Sequence, residues 1–245
     1  MLKRIKDFIK TKPKLYDLFN ERRPLAEELD IWIDSFSKTQ KRSINFIQVG
    51  ASDGLRWDPV RRFIIRDKWN GVLIEPLEPV FNMLVNNYAY VKQNNLKFEN
   101  CAISEKNGSI MFWSYSEDFL NSLSIEVKLF YLRKSSLDKA QVEKSLLGIK
   151  NSDKIIRSYE ATSKPLSEII SKYFPNNDVD LVFIDAEGFD DHVIRTINFE
   201  KCTPTAIVYE SHNLGDRNDA IEDYLSKKGY TIKKLGGDTV AELSI

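Results

Sequence analysis

Four side chains able to move a proton or hold a cation, Asp185, Glu187, Glu210 and His212, stand at or just beyond the ends of two short apolar runs, VDLVFID (179–185) and TAIVYE (205–210). If those runs are neighbouring strands, the four converge. His212 is one of two histidines, and an imidazole with its ordinary pKa of about 6.5 suits proton abstraction near neutrality. It is the first expectation for a general base, with Asp185, Glu187 and Glu210 assisting. Asp185, Glu210 and His212 could equally hold Mg²⁺ or another divalent ion that orients and acidifies a diol. Each reading has a plain rival. Glu187-Gly188 can simply satisfy a helix N-terminus, and His212 can be a loop histidine bonded to backbone. His192, two residues past Asp190, reads as a packing or solvated residue.

A second group lies earlier in the chain. The run INFIQV (44–49) leads into Gly50-Ala51-Ser52-Asp53-Gly54, and GVLIE (71–75) ends in Glu75, 25 residues beyond Gly50. In open α/β sheets ligands sit beyond the carboxyl ends of strands, and an acidic side chain at this spacing can accept both ribose hydroxyls. An adenosine-containing ligand is the expectation. A dinucleotide would set its phosphates beside Asp53, like charge against like, and the GxGxxG pattern is missing because Ser52 stands at the second glycine. S-adenosylmethionine brings an ammonium and a sulfonium instead. The charge pattern therefore selects it over NAD, and an NAD-dependent oxidoreductase survives as a minor alternative.

Together VGASDG (49–54), IEP (74–76), NCAIS (100–104), FIDAEGFD (183–190) and IVYESH (207–212), in this order, resemble the FkbM family of S-adenosylmethionine-dependent methyltransferases over roughly residues 44–243. The strongest element resembles the family's DxEGxE signature, with Asp190 in place of the final glutamate, and Asn121-Ser122-Leu123 resembles its SSL stretch. The resemblance implies a class I methyltransferase fold: an α/β, Rossmann-like, mostly parallel seven-stranded sheet with an antiparallel last strand. It implies O-methylation of a sugar or glycan hydroxyl in surface-polysaccharide biosynthesis. The implied cofactor contacts are Gly50, Ser52, Asp53, Gly54, Glu75, Pro76, Asn100, Ala102 and Asp185, with Cys101 turned into the core. Methyl transfer from a sulfonium is an in-line displacement that positioning accelerates, whereas the hydroxyl proton needs a base or a metal.

The elements that must position these residues are legible as alternation. Apolar runs at 44–49, 71–75, 96–103, 179–185 and 205–210 are strand-length, and helical spacing follows in Phe81, Leu84, Val85 and Tyr88 and in Ile221, Tyr224 and Leu225. Alternation of this kind gives a parallel sheet with covered faces. Asp58 is expected as an N-cap with Pro59 at the first helical position. GYTIKKLGGDTVAELSI reads as a hairpin turning at Gly236-Gly237 and closing the sheet with an antiparallel edge. An insertion at approximately 104–178 carries an aromatic strand, SIMFWSY, in which Phe112, Trp113 and Tyr115 are expected in a core beneath a lid. It also carries a lysine-rich helical stretch that could receive an anionic acceptor.

Composition sets outer limits. The 245 residues fit one domain, 44–245, behind a helical arm, 1–43. Lys plus Arg and Asp plus Glu are both 36, which disfavours a dedicated nucleic-acid partner. The two cysteines make no disulfide framework, no run approaches a membrane span, and a cytoplasmic setting is expected. Residues 1–24 nevertheless hold eight Lys or Arg, and Leu2, Ile5, Phe8 and Ile9 recur at helical spacing. Packing on the domain is the expected role of this arm, with peripheral membrane contact the alternative. The acceptor partner is expected to be a sugar, nucleotide sugar or glycan. A non-catalytic scaffold with the same fold is the rival function, and the pattern leaves oligomeric state open.

Overall fold

The computed structural model describes residues 12–244 apart from 22, 93, 94 and 150, so the expected helix through Leu2, Ile5, Phe8 and Ile9 lies outside the described residues. In chain order come α1 (Pro13–Glu21), α2 (Glu28–Thr39), β1 (Asn45–Val49), α3 (Arg61–Arg66), β2 (Asn70–Ile74), α4 (Glu78–Tyr88), β3 (Leu96–Glu99), β4 (Ala102–Ile103) and β5 (Gly108–Tyr115). Then follow α5 (Glu117–Asn121), α6 (Ile125–Arg133), α7 (Lys139–Ser145), α8 (Ser152–Ile155), β6 (Ile156–Lys164), α9 (Leu166–Tyr173) and β7 (Leu181–Ile184). The chain ends with α10 (Asp190–Arg195), β8 (Ala206–Glu210), α11 (Arg217–Lys227), β9 (Tyr230–Leu235) and β10 (Asp238–Leu243).

Seven strands form the main sheet in the order β3-β2-β1-β7-β8-β10-β9, parallel except where β10 runs against β8 and β9. The last strand in sequence is thus antiparallel, as expected. It does not close the edge: β10 is inserted between β8 and β9, and β9 takes the rim. The tight turn at Gly236, whose φ is +65°, lets the hairpin fold back into the gap.

Period-two patterning explains why both faces are dry. Ile47, Val49, Val72, Ile74, Val182, Ile184 and Ile207 point into one core with Leu166, Ile169 and Ile170 of α9, Val193 and Ile194 of α10, and Ile221 and Leu225 of α11. Phe46, Leu73, Leu181, Phe183 and Val208 point the other way, against Phe63 and Ile64 of α3, Leu84 and Tyr88 of α4, and Leu29, Trp32, Ile33 and Phe36 of α2. Each fully buried large aliphatic contributes about 1.5–3 kcal/mol relative to exposure. Helix α2 is therefore part of the domain's core and not an appendage to it.

Two local expectations need correction. The run 96–103 is not one strand: it breaks at Asn100-Cys101, and β4 leaves the main sheet to pair with β6, beside β5, in a second three-stranded sheet. Asn100 fixes the break by donating its side-chain amide to the carbonyls of Glu75 (2.8 Å) and Pro76 (3.0 Å). Pro59 precedes α3 instead of opening it. Asp58 does cap the approach, accepting the backbone N–H groups of Val60 and Arg61 and the side-chain amide of Gln48, and its burial raises its pKa to about 6.

The insertion has its own core. Tyr115, Leu120, Val142, Leu146 and Ile156 are buried together, with Trp113 packed against them, while Phe112 joins Leu77, Val80, Ala102 and Ala161. The lysine-rich stretch forms α6 and α7, leading past the tips of the main strands.

Candidate functional site

Strand register sets the site. Val49 is level with Ile74 of β2 and Ile184 of β7, Ile184 with Tyr209 of β8, and Ile74 with Glu99 of β3. One residue further along each strand therefore lies Asn100, Glu75, Gly50, Asp185 and Glu210, in spatial order, at about 4.8 Å per strand. Asp238 of β10 pairs directly with Glu210 and extends the row. The row crosses the gap between β1 and β7, where successive connections begin to run in opposite directions. This is the place at which open α/β sheets leave a crevice.

Two cavities meet over the row. The first is lined by Gly50, Ser52, Glu75, Pro76, Ala102, Asp185 and Glu187, and also by Cys101 and Phe112 and by Leu132, Arg133, Ser135 and Leu137 of the insertion. The second is lined by Trp57, Arg133, Asp185, Glu210, Asp238 and the segment 26–30. Asp185 and Arg133 belong to both walls.

Within the first cavity Glu75 is buried and bonded through both oxygens, Oε2 accepting from the Ser52 N–H at 3.0 Å and Oε1 from the Leu77 N–H at 2.9 Å. Its pKa is pushed up to about 7 by burial, with the charges of Asp185 and Asp53 adding to the rise. Asp185 touches the Arg133 guanidinium through Oδ2 at 3.3 Å, while its Oδ1 is buried with no partner. Glu187 is bound at both oxygens by Lys134 Nζ, 2.8 Å each. Burial first, and the Asp185 charge second, raise its pKa. Ser52, Trp57 and Glu187 carry positive φ angles of 48°, 56° and 48°, a conformation that costs a non-glycine residue on the order of 1–3 kcal/mol.

Glu210, at the end of β8, has its Oε2 held by Asn213 at 2.5 Å, and its pKa is raised by burial and then by Asp185. Asp190 is fully buried beneath the pair, accepting the N–H of Glu210 on one oxygen (3.1 Å) and that of Ala186 on the other (3.3 Å). That bridge ties the tip of β7 to the tip of β8. Its pKa lies well above the ordinary carboxylate value, through burial and the Asp185 and Glu210 charges.

Several expected residues stand elsewhere. Asp53 turns away from the cavities: it is buried, accepting the N–H groups of Leu55 and Arg56 and pairing with the Arg56 guanidinium at 2.6 Å. The acidic character that favours a cationic ligand comes instead from Glu75, Asp185 and Glu187. Gly54 is also off the wall, and a Cβ there would lie 2.3 Å from Leu84. Gly50 does line the cavity, but its need for glycine is internal, since a Cβ would fall 1.9 Å from the Asp185 carbonyl oxygen. Asn100 acts through the Glu75-Pro76 backbone and lines neither cavity. His212 is exposed, lines neither cavity, and sits 3.7 Å from Glu210 Oε1 with its Nδ1 3.4 Å from the Gly237 carbonyl. His192 stacks on Phe189 at 4.1 Å and pairs with Asp191. In the SSL-like stretch, Ser122 bonds the Phe119 carbonyl and Asn121 accepts from Lys128.

The metal expectation finds no support. Among the described residues no three His, Cys, Asp or Glu side chains are disposed to share an ion: Asp185 faces Arg133, and Glu210 faces Asn213 and His212.

Sequence reasoning missed Trp57, Arg133, Lys134 and Asp238. Nothing in local spacing marks them, because the insertion reaches the site through the second sheet and Asp238 through strand insertion.

Residues 48–232 match the model of the Methyltransferase FkbM domain. No curated protein matches the chain. Among solved structures, precorrin-6y C5,15-methyltransferase from Geobacter metallireducens GS-15 shares 11% identity at a TM-score of 0.42, covering 90% of this chain and 93% of that one. An RNA methyltransferase from Salinibacter ruber, in complex with S-adenosyl-L-homocysteine, shares 14% at 0.37, covering 91% and 94%. The ribosomal protein L11 methylase from Lactobacillus delbrueckii subsp. bulgaricus shares 10% at 0.40, covering 88% and 76%.

Proposed function

The chain belongs to the FkbM methyltransferase family, and from that premise we propose an S-adenosylmethionine-dependent O-methyltransferase that holds its donor in the first cavity and a sugar hydroxyl in the second. The observation that carries this reading is the meeting of the two cavities at Asp185. A group on one side of that carboxylate is next to a group on the other, which is what transfer in line requires.

The residues fit the donor. The Asp185 Oδ1 without a partner, together with Glu75 and Glu187, supplies acceptors for an ammonium and for ribose hydroxyls, and the apolar wall of Ile74, Ala102, Phe112 and Leu137 suits a purine. Bound there, the donor supplies an electrophilic methyl group. The protein's own work is to orient the hydroxyl and remove its proton. Glu210 lines the acceptor cavity and its raised pKa makes it a stronger base than an ordinary glutamate. We assign it the proton, with His212 beside it passing the proton to solvent. The donor's ammonium meets the unpartnered Oδ1 of Asp185 while Oδ2 keeps Arg133, which links the insertion to donor binding.

Calorimetric titration with S-adenosylhomocysteine tests the donor site, and Glu210→Gln tests the base. The expected outcome is unchanged homocysteine-analogue affinity with kcat lowered about 10²–10⁴-fold, the usual worth of general-base catalysis. Loss of analogue binding in the variant, or an unaltered kcat, would remove Glu210 from this role.

A further inference from the structure

The second cavity has an unbalanced wall. Glu27, Glu28, Asp30, Asp185, Glu210 and Asp238 line it, and among the described residues Arg133 is the single cation that does so. That guanidinium is already engaged by Asp185 at 3.3 Å and by the Trp57 ring at 5.5 Å. Of the neighbouring cations, Lys134 is paired with Glu187, while Arg23 and Arg62 make no ion pair with Asp30 and only oppose the rise in its pKa. His212 faces Glu210 and Asp238 from outside, and Lys134 also acts on Glu210. Asp238, Glu210 and Asp30 are all raised in pKa, Asp238 to about 6, with burial the largest cause in each and mutual carboxylate repulsion contributing. Among the described residues six carboxylates and one guanidinium line the cavity, so an anion entering it meets net repulsion.

Trp57 gives the cavity its other feature. It is 50% exposed, the largest side chain in the wall, and it holds a left-handed backbone conformation. Packing does not account for a half-exposed indole held in that conformation, whereas an aromatic face beside polar acceptors is the means by which proteins grip the apolar face of a ring whose rim carries hydroxyls. A site that repels one class of ligand while holding another gains specificity from both effects.

Resting on the reading that this cavity receives the acceptor, we infer that the acceptor is a sugar ring without anionic substituents, stacked on Trp57, with amine-bearing rings preferred over neutral ones. Uronate, phosphosugar, nucleotide-sugar and phosphodiester acceptors are excluded from the cavity by its acidic wall. The lysine-rich insertion does not reverse this, because the two cations it brings to the strand tips, Arg133 and Lys134, are spent on Asp185 and Glu187.

The test uses the full chain and three tetrasaccharide probes of glucosamine, glucose and galacturonate, titrated in low salt and followed by saturation-transfer NMR, with S-adenosylhomocysteine titrated in parallel. The glucosamine tetramer is expected to bind at least tenfold more tightly than the galacturonate tetramer, with glucose between, and the gap should narrow in 0.5 M salt. Trp57→Ala should weaken the first two probes at least fivefold without altering S-adenosylhomocysteine binding, and Asp238→Asn should shrink the amine preference. Equal or tighter binding of the galacturonate tetramer, an unchanged Trp57→Ala variant, or binding of none of the three while S-adenosylhomocysteine binds would each overturn the inference. Failure of S-adenosylhomocysteine alone would leave it standing and overturn the donor assignment instead.

Discussion

At the scale of single residues, the division of labour along the strand tips makes opposing predictions for neighbours. Glu75 is placed to accept ribose hydroxyls through a carboxylate already oriented by two backbone N–H groups. Glu75→Gln keeps the shape but replaces charge-assisted acceptors, each worth about 1.5–3 kcal/mol. Calorimetry on that variant should show S-adenosylhomocysteine affinity lower by about 10- to 100-fold. His212→Gln should leave donor affinity intact and lower kcat by less than Glu210→Gln does, because His212 lies outside both cavities; a larger loss would return His212 to the place of base. The sequence named the carboxylates correctly as strand-tip residues because register places them with one-residue precision. It misjudged Asp53, Gly54 and His212 for a common reason: spacing locates a Cα, while the direction of the side chain depends on partners such as Arg56, Leu84 and the Gly237 carbonyl, which come from elsewhere in the chain.

At the scale of elements, the N-terminal helices hold the ligand loop. Arg61 of α3 is fully buried and donates to the carbonyls of Gly54 and Asn87 and to the Asp17 carboxylate of α1, the latter at 2.7 and 3.0 Å. The pair couples the arm to the turn after β1. Asp17→Asn leaves a buried guanidinium with half its partner, and removing a buried ion-pair partner costs about 3–5 kcal/mol. Asp17 itself is partly open, so the lower end applies. At about 2–4 °C per kcal/mol for a chain of this size, calorimetry should record a melting temperature lower by roughly 6–12 °C. A shift under 2 °C would mean that the clasp holds nothing. The strands and their flanking helices were readable because alternation and helical spacing are local signals. The departure of β4 into a second sheet and the insertion of β10 were not, since a parallel pairing across sixty residues and a strand slotted beside β8 leave no local trace.

At the scale of the whole molecule, several buried carboxyls share one sign of shift. Glu75 is raised to about 7, Asp58 and Asp238 to about 6, and Asp17, Asp30, Glu187, Asp190 and Glu210 are raised too, with burial the leading cause in every case. Between the unfolded values near 4 and these folded values the native state binds more protons than the unfolded chain, so stability falls as pH rises through that window. Each fully linked group contributes a slope of about 1.4 kcal/mol per pH unit. Glu99, lowered to about 2 by Lys172, Tyr173 and Lys164 against its burial, acts in the opposite sense but below pH 4.5, outside the window. The ligand-free protein should therefore melt at a higher temperature at pH 5 than at pH 7.5 in scanning calorimetry. A cationic donor favours the ionised carboxylates, so saturating S-adenosylmethionine should raise the melting temperature more at pH 7.5 than at pH 5, and more than S-adenosylhomocysteine, which lacks the sulfonium, does at matched occupancy. A melting temperature that climbs from pH 5 to pH 7.5 without ligand would show that the strand-tip carboxyls are held ionised by the protein itself, leaving the donor's charge no work to do there.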